Sequence, residues 1–76
     1  MKYRQNAGYT IIETHTNRLS DRWEGYVLGE NPKTGMYVTW YYLDRNGETV
    51  YNLGHYFNTK KEALADFYHR VSCIYA

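Results

Sequence analysis

The dipeptide Asn46-Gly47 restricts the fold of this chain more than any other feature of its sequence. It separates two segments, 37–44 and 48–57, that are rich in tyrosine and β-branched residues. Such segments favour β-strands, and Asn-Gly favours the type I′ turn, whose twist matches a two-residue hairpin. The sequence therefore predicts that these two segments form an antiparallel pair.

The same turn assigns the side chains of the hairpin to two faces, because residues alternate along a strand. A two-residue turn pairs Arg45 with Glu48 and, further along the strands, Val38 with His55. One face is predicted to form a core against a helix, and His55 is expected at its edge, hydrogen-bonded to a tyrosine. This face carries Val38, Trp40, Tyr42, Tyr51, Leu53 and His55.

Two further strands are predicted before the hairpin. Segments 9–16 and 23–29 are rich in β-branched residues or alternate between apolar and polar ones. Residues 30–35, which follow the second of these segments, contain Asn-Pro and end in Gly. These residues favour turns. A loop at 31–35 would place Tyr26 beside Trp40 on the core face, in agreement with the register of the hairpin.

A helix is predicted over residues 59–75. Thr59 and Glu62 have the spacing of a capping box, in which each residue satisfies a free N–H group at the start of a helix. Asp66 and Arg70 are interpreted as an ordinary i,i+4 ion pair. Apolar residues recur at the helical period and are expected to cover the core face of the sheet. They are Leu64, Phe67, Tyr68, Val71 and Tyr75, with Ala63 and Ile74 at the margins.

These elements predict one α+β domain over residues 1–76. Its sheet is antiparallel and has three to four strands in the order ββββα, with the C-terminal helix packed across it. Residues 1–8 are expected to be a loose lead-in, 9–57 the sheet and 59–75 the helix. A chain of this size buries only about 60% of the surface that its unfolded form exposes, so we expect no cofactor-binding domain beside this core.

Charge and cysteine content narrow the function classes. Nine Lys and Arg against eight Asp and Glu give a formal charge of +1, unlike the basic stripe of a general nucleic-acid binder. A single cysteine cannot form an internal disulfide, so nothing requires an oxidising compartment. The N-terminus has no apolar run typical of a signal peptide or membrane span. We therefore expect a cytoplasmic protein without membrane contact.

The opposite face of the predicted sheet carries tyrosines beside glycines and almost no charge. Tyrosine supplies rigid contact area at low entropic cost, so this face is predicted to bind a protein, either a second copy or a different partner. Two alternatives remain open: the face stacks nucleic-acid bases, or its rings only cover glycines and the domain has no exposed site. The candidate binding residues are Tyr37, Thr39, Tyr41, Asn52 and Tyr56.

Catalytic chemistry is not expected. The candidates for a metal or nucleophilic site are His15, His55, His69 and Cys73. His69 and Cys73 share one face of the helix, but a structural zinc site needs four ligands. A Cys–His nucleophile needs an orienting group and an oxyanion site, and no segment supplies them. The sequence therefore predicts no enzyme activity, metal, cofactor or small-molecule substrate.

From Tyr37 to about residue 70 the chain resembles the three-stranded-sheet-plus-helix DNA-binding domains of plant ethylene-response factors and integrase arm-binding regions. The likeness lies in "NGETVYNLG" followed by "FNTKKEALADFY". The chain has one extra residue, because His55 and Tyr56 occupy a single family position. The residues that carry the resemblance are Leu53, Gly54, Phe57, Thr59, Glu62, Ala63 and Phe67.

The resemblance implies a sheet whose open face enters the major groove of DNA. The family reads bases with Arg and Trp on the strands, whereas this chain has Tyr, Thr, Asn and Gly there, so the likeness supports the fold more than the function. Under this alternative, phosphate contacts would come from Lys2, Arg4, Arg18, Arg22, Lys33 and Arg45. The chain also resembles the short proteins of bacterial mobile elements and phages, many of which bind a host protein.

Overall fold

The computed structural model describes residues 5–74 and contains an antiparallel sheet and one helix. The elements are β1 (Gln5–Asn6), β2 (Tyr9–Arg18), β3 (Trp23–Glu30), β4 (Tyr37–Arg45), β5 (Glu48–Phe57) and α1 (Lys60–Ile74). The strands lie in chain order within one sheet of five strands. The predicted α+β class with an antiparallel sheet is confirmed, but the sheet has five strands and not three to four.

The additional strand, β1, lies in the segment predicted to be a loose lead-in. Gln5 pairs with Thr10, and the two strands are joined by Ala7 and Gly8, whose φ angles are 51° and 84°. Two central residues with positive φ are the mark of a type I′ hairpin turn, which usually contains Asn, Asp or Gly at the first of them. Alanine occupies that position here, so the usual sequence signal of the turn is missing.

The β4–β5 hairpin follows the predicted register only near its turn. Arg45 pairs with Glu48 and Tyr42 with Tyr51, as predicted, but the register then shifts by one residue. Leu53, with a φ of 56°, lies at the shift. Beyond this β-bulge Val38 pairs with Tyr56 and not with His55, because the extra residue turns the rest of β5 over.

The predicted register between β3 and β4 is wrong by one residue. Tyr26 pairs with Tyr41 and not with Trp40. The loop extends to Met36, whose carbonyl accepts a hydrogen bond from the Asn31 N–H at 2.9 Å, so it is longer than the predicted 31–35. A shift of one residue moves every side chain to the other face of the sheet. The helix consequently packs on the face that was predicted to be open.

The face that the helix does not cover is buried by curvature of the sheet. Tyr9 of β2 contacts Trp40 edge-on, with ring centroids 5.5 Å apart, and Tyr56 of β5 at 6.1 Å. Trp40 lies directly over Gly54, where an added Cβ would be 2.7 Å from the indole Nε1. The buried residues of this first core are Tyr9, Ile11, Val27, Val38, Trp40 and Tyr42. Val38, Trp40 and Tyr42 are thus core residues, as predicted, but they pack against the curled sheet.

A second core lies between the sheet and α1. Leu28, Ala63 and Phe67 are its buried members. The partly buried residues around them are Ile12, Tyr26, Tyr37, Phe57, Leu64 and Val71. Thr59 caps the helix as predicted, because the Glu62 N–H donates to Thr59 Oγ1 at 3.2 Å. The Glu62 half of the predicted capping box differs: its carboxylate accepts from the Thr59 hydroxyl at 2.9 Å and not from a backbone N–H. Tyr68, predicted to lie on the apolar side, is 58% exposed.

Candidate functional site

The five predicted binding residues do not form one open surface. Tyr37, Thr39 and Tyr41 lie on the face covered by α1, and Thr39 is completely buried. The Thr39 hydroxyl donates to Asp66 Oδ2 at 2.5 Å and accepts from Arg70 Nη1 at 3.0 Å. The expectation of an open tyrosine face is therefore wrong for these residues, because it depended on the incorrect β3–β4 register.

Both tyrosine hydroxyls on this face are used within the fold. The Tyr37 hydroxyl donates to Glu30 at 2.9 Å, and the Tyr41 hydroxyl donates to Glu24. Burial, together with the hydrogen bond and the negative charge of Glu24, raises the pKa of Tyr41 to about 12. The hydrogen bond to Glu30 raises the pKa of Tyr37 as well. These phenols are held as neutral donors to carboxylates that face the same side of the sheet.

The remaining two predicted binding residues lie on opposite faces of β5. Asn52 is exposed and pairs with Tyr41, on the helix side. Tyr56 pairs with Val38 and is 55% exposed, with its ring against the first core. The bulge at Leu53 separates the two, since it reverses the alternation of side chains between them.

A buried arginine joins the helix to the sheet. Arg70 is only 8% exposed; its Nη1 donates to the Thr39 carbonyl oxygen at 3.1 Å, and its guanidinium lies 4.8 Å from the centre of the Tyr26 ring. Asp66 binds His55 Nδ1 at 3.0 Å. The interpretation of Asp66 and Arg70 as an ordinary i,i+4 ion pair is therefore wrong, because Asp66 binds Thr39 and His55 while Arg70 binds Thr39. His55 was predicted to bind a tyrosine, and its partner is Asp66.

Three of the five exposed large hydrophobic side chains in residues 5–74 lie on β5. β5 lies at the end of the sheet, so one side of its backbone has no neighbouring strand within residues 5–74. Leu53 is 69% exposed, Tyr56 55% and Val50 46%. Between Thr49 and Phe57 the strand contains no Lys, Arg, Asp or Glu. Natural sheets usually protect such an edge with charged residues or proline, so this edge is suited to pairing with another strand.

Leu53 is the residue at this edge that sequence reasoning missed. It was predicted to face the core, yet it is exposed and has a φ of 56°. A left-handed backbone costs an L-residue other than Gly about 1–2 kcal/mol. The local signal that could have indicated a bulge is the adjacent Gly54, because a glycine within a strand often marks one.

The six residues predicted to contact phosphate are only partly brought together. Arg18, Arg22 and Arg45 line one groove at the end of the sheet where the β2–β3 loop meets the β4–β5 turn. Lys33 lies in the β3–β4 loop, at the opposite end of these strands. Lys2 and Arg4 lie outside the described residues.

The histidine and cysteine residues do not assemble into a metal centre in the described chain. Cys73 Sγ lies 3.7 Å from His69 Nε2 on the exposed side of the helix. His15 lies on β2 and His55 on β5. Within residues 5–74 there is no group of three or more His, Cys, Asp or Glu side chains that could hold a metal ion.

Comparison of the chain with protein-family models, with curated proteins and with solved structures finds no match. Nor does any helix within residues 5–74 have the length and apolar character needed to cross a membrane.

Proposed function

We propose that the chain is a non-catalytic protein-interaction module that pairs with a second copy of itself along the outer edge of β5. The observation that carries this proposal is Leu53. Its side chain is 69% exposed and its backbone has a φ of 56°, so it contributes little burial to the isolated fold and costs conformational strain. A partner strand that covers Leu53 would give its side chain the burial that the isolated chain does not provide.

The chemistry of β5 favours a second copy as the occupant of this edge. The edge of an antiparallel strand presents alternating N–H and C=O groups, which are complementary to the same edge of a copy related by a twofold axis. Like charges directly opposite each other destabilise a strand pair. Because residues 49–57 contain no Lys, Arg, Asp or Glu, two copies can pair there without that penalty.

Sedimentation equilibrium over a wide range of protein concentrations tests the proposal. The wild-type chain is expected to shift from monomer to dimer as its concentration rises. Leu53→Lys keeps a side chain with the same backbone strain but places two positive charges near the axis of the dimer. We expect it to weaken self-association at least about tenfold, which corresponds to about 1.4 kcal/mol.

Tyr68→Lys is the matched control. Tyr68 is 58% exposed and lies on α1, away from the β5 edge, so the variant makes the same change of charge at a similarly exposed large side chain. Its association should stay within about twofold of wild type. A wild-type chain that remains monomeric at every concentration overturns the proposal, and so does equal weakening by the two variants.

The other expectations from the sequence stay predictions. They are the DNA-binding function implied by the resemblance to ethylene-response factors, the contact with a host protein and the cytoplasmic location. Of the six predicted phosphate contacts, the fold brings Arg18, Arg22 and Arg45 to one end of the sheet.

A further inference from the structure

A polar groove lies at the end of the sheet, away from the apolar part of the β5 edge. Its cavity of about 420 Å³ is formed by the β2–β3 loop, residues 18–23, and the β4–β5 turn, residues 44–47. Ligand-binding clefts usually have volumes of about 300–1,000 Å³. The groove is therefore large enough for one nucleotide, and neither core of the domain requires it.

Trp23 is an exposed aromatic ring in this groove. It is 49% exposed, and the Arg18 guanidinium lies 5.2 Å from the centre of its ring. An exposed tryptophan beside an arginine is the combination that single-stranded nucleic-acid binders use, since the ring stacks on a base and the cation attracts the phosphate.

The ion pairs of the groove leave one arginine available for an anion. Arg22 Nη1 binds Asp21 at 2.9 Å, and Arg45 Nη2 reaches the other oxygen of Asp21 only at 4.0 Å. Arg18 has no carboxylate within ion-pairing distance among residues 5–74. Asp44 also lines the groove, so a phosphate is favoured on the Arg18 side of Trp23.

We infer that this groove binds one nucleotide of a single-stranded nucleic acid. The base stacks on Trp23, and its phosphate is held by Arg18 with a weaker contribution from Arg45. A base within a duplex cannot present its face to the ring, so the site discriminates against double-stranded DNA. This activity is independent of the proposed pairing along β5, and each can fail without the other.

The test uses a fluorescently labelled oligothymidylate and the full chain at low salt. Anisotropy measures affinity, while quenching of tryptophan emission reports stacking on Trp23, because Trp40 is only 5% exposed. Trp23→Leu should weaken binding about tenfold to a hundredfold, as expected for the loss of one stacked base. Affinity should fall with added salt with a logarithmic slope of about −0.7 for each phosphate contacted.

Two comparisons distinguish a specific binding site from nonspecific attraction between the oligonucleotide and positive charge. Arg18→Gln should weaken binding several-fold more than Lys33→Gln, which makes the same change of net charge at the other end of the strands. An abasic oligonucleotide of equal length should bind at least about tenfold more weakly than oligothymidylate. Thermal unfolding followed by circular dichroism verifies that each variant is folded. The inference is wrong if oligothymidylate does not bind, if the abasic strand binds equally well, or if the two charge variants lose the same affinity.

Discussion

The two long strands nearest the ends of the sheet, β2 and β5, differ in charge and in strand pairing. β2 carries exposed charges at Glu13 and Arg18 along its edge, and its first residues are paired with β1. β5 has no charged residue from Thr49 to Phe57 and no neighbouring strand on its outer side within residues 5–74. Charges at an edge oppose the addition of further strands, so β2 carries a protection that the edge of β5 lacks.

Each of these strands also contains a β-bulge, and the bulged residues point to different surroundings. On β2 the register shift lies between Ile11 and Glu13, and Ile12 packs against the core beneath the helix. On β5 the bulged residue is Leu53, which is 69% exposed. The bulged residue of β2 therefore packs against the core, whereas the bulged residue of β5 exposes an apolar side chain to solvent.

Replacing the two bulged side chains with alanine should give the largest difference between the strands. Ile12→Ala removes part of the second core and should lower the free energy of unfolding by about 2 kcal/mol. Leu53→Ala removes an exposed side chain and should change it by less than about 0.5 kcal/mol while weakening self-association. Urea denaturation at low protein concentration measures both. Equal losses of stability would contradict the contrast between the two bulges.

Glycine at the β5 bulge separates backbone strain from side-chain contact. Leu53→Gly relieves the positive φ of 56°, so the free energy of unfolding should rise by about 1 kcal/mol. The same variant should weaken self-association, because the exposed side chain is lost. Leu53→Ala keeps the backbone strain and is the control for the change in the free energy of unfolding. A Gly variant less stable than the Ala variant would indicate that the left-handed backbone carries no cost.

Removing a charge from the β2 edge should make it resemble β5. Glu13→Val should leave the unfolding free energy within about 0.5 kcal/mol of wild type, but should add assemblies larger than a dimer, since two edges per chain can then pair. Light scattering against protein concentration detects them. Asp21→Val, which removes an acidic residue from an exposed loop, should not produce them. If Glu13→Val behaves as the wild type does, charge is not what protects β2.

The smallest predicted effect concerns Tyr41 on the sheet face under the helix. The folded pKa of about 12 lies above the ordinary tyrosine value of 10.0, so stability from the neutral phenol is fully present below pH 10 and is lost as pH rises towards 12. Tyr41→Phe should therefore reduce the fall of the urea midpoint over this range. Tyr68→Phe, at an exposed position, should leave the fall unchanged; equal behaviour of the two variants would contradict the Tyr41–Glu24 assignment.

Local features of the sequence predicted the fold class but not the faces of the sheet. The Asn46-Gly47 turn and the Thr59–Glu62 cap each depend on a few neighbouring residues, and the structure contains both. The turn at Ala7 and the bulge at Leu53 place residues other than Gly at positive φ, where sequence preference argues against them. Only the surrounding strands make these conformations favourable.

The candidate edge could not be predicted, because the predicted β3–β4 and β4–β5 registers were each wrong by one residue. The loop was predicted to end at residue 35 and extends to Met36, and the hairpin was predicted without its bulge. Each error assigns the side chains that follow to the wrong face of the sheet. Arg70 could not be assigned to the core either, because its burial depends on Thr39 and Tyr26, which are distant in the chain. The absence of Lys, Arg, Asp and Glu from residues 49–57 was visible in the sequence, but the position of β5 at the end of the sheet was not.

Concentration-dependent amide hydrogen exchange tests the pairing of β5 most directly. At low protein concentration, the outward-facing N–H groups of β5 should exchange rapidly, as should those of the unpaired edge of β2. At high concentration, alternate amides of β5 should become protected because they bond to the second copy, while the exchange of β2 stays unchanged. Dimer formation without new protection in β5, or with protection in β2 instead, would contradict self-pairing along the β5 edge.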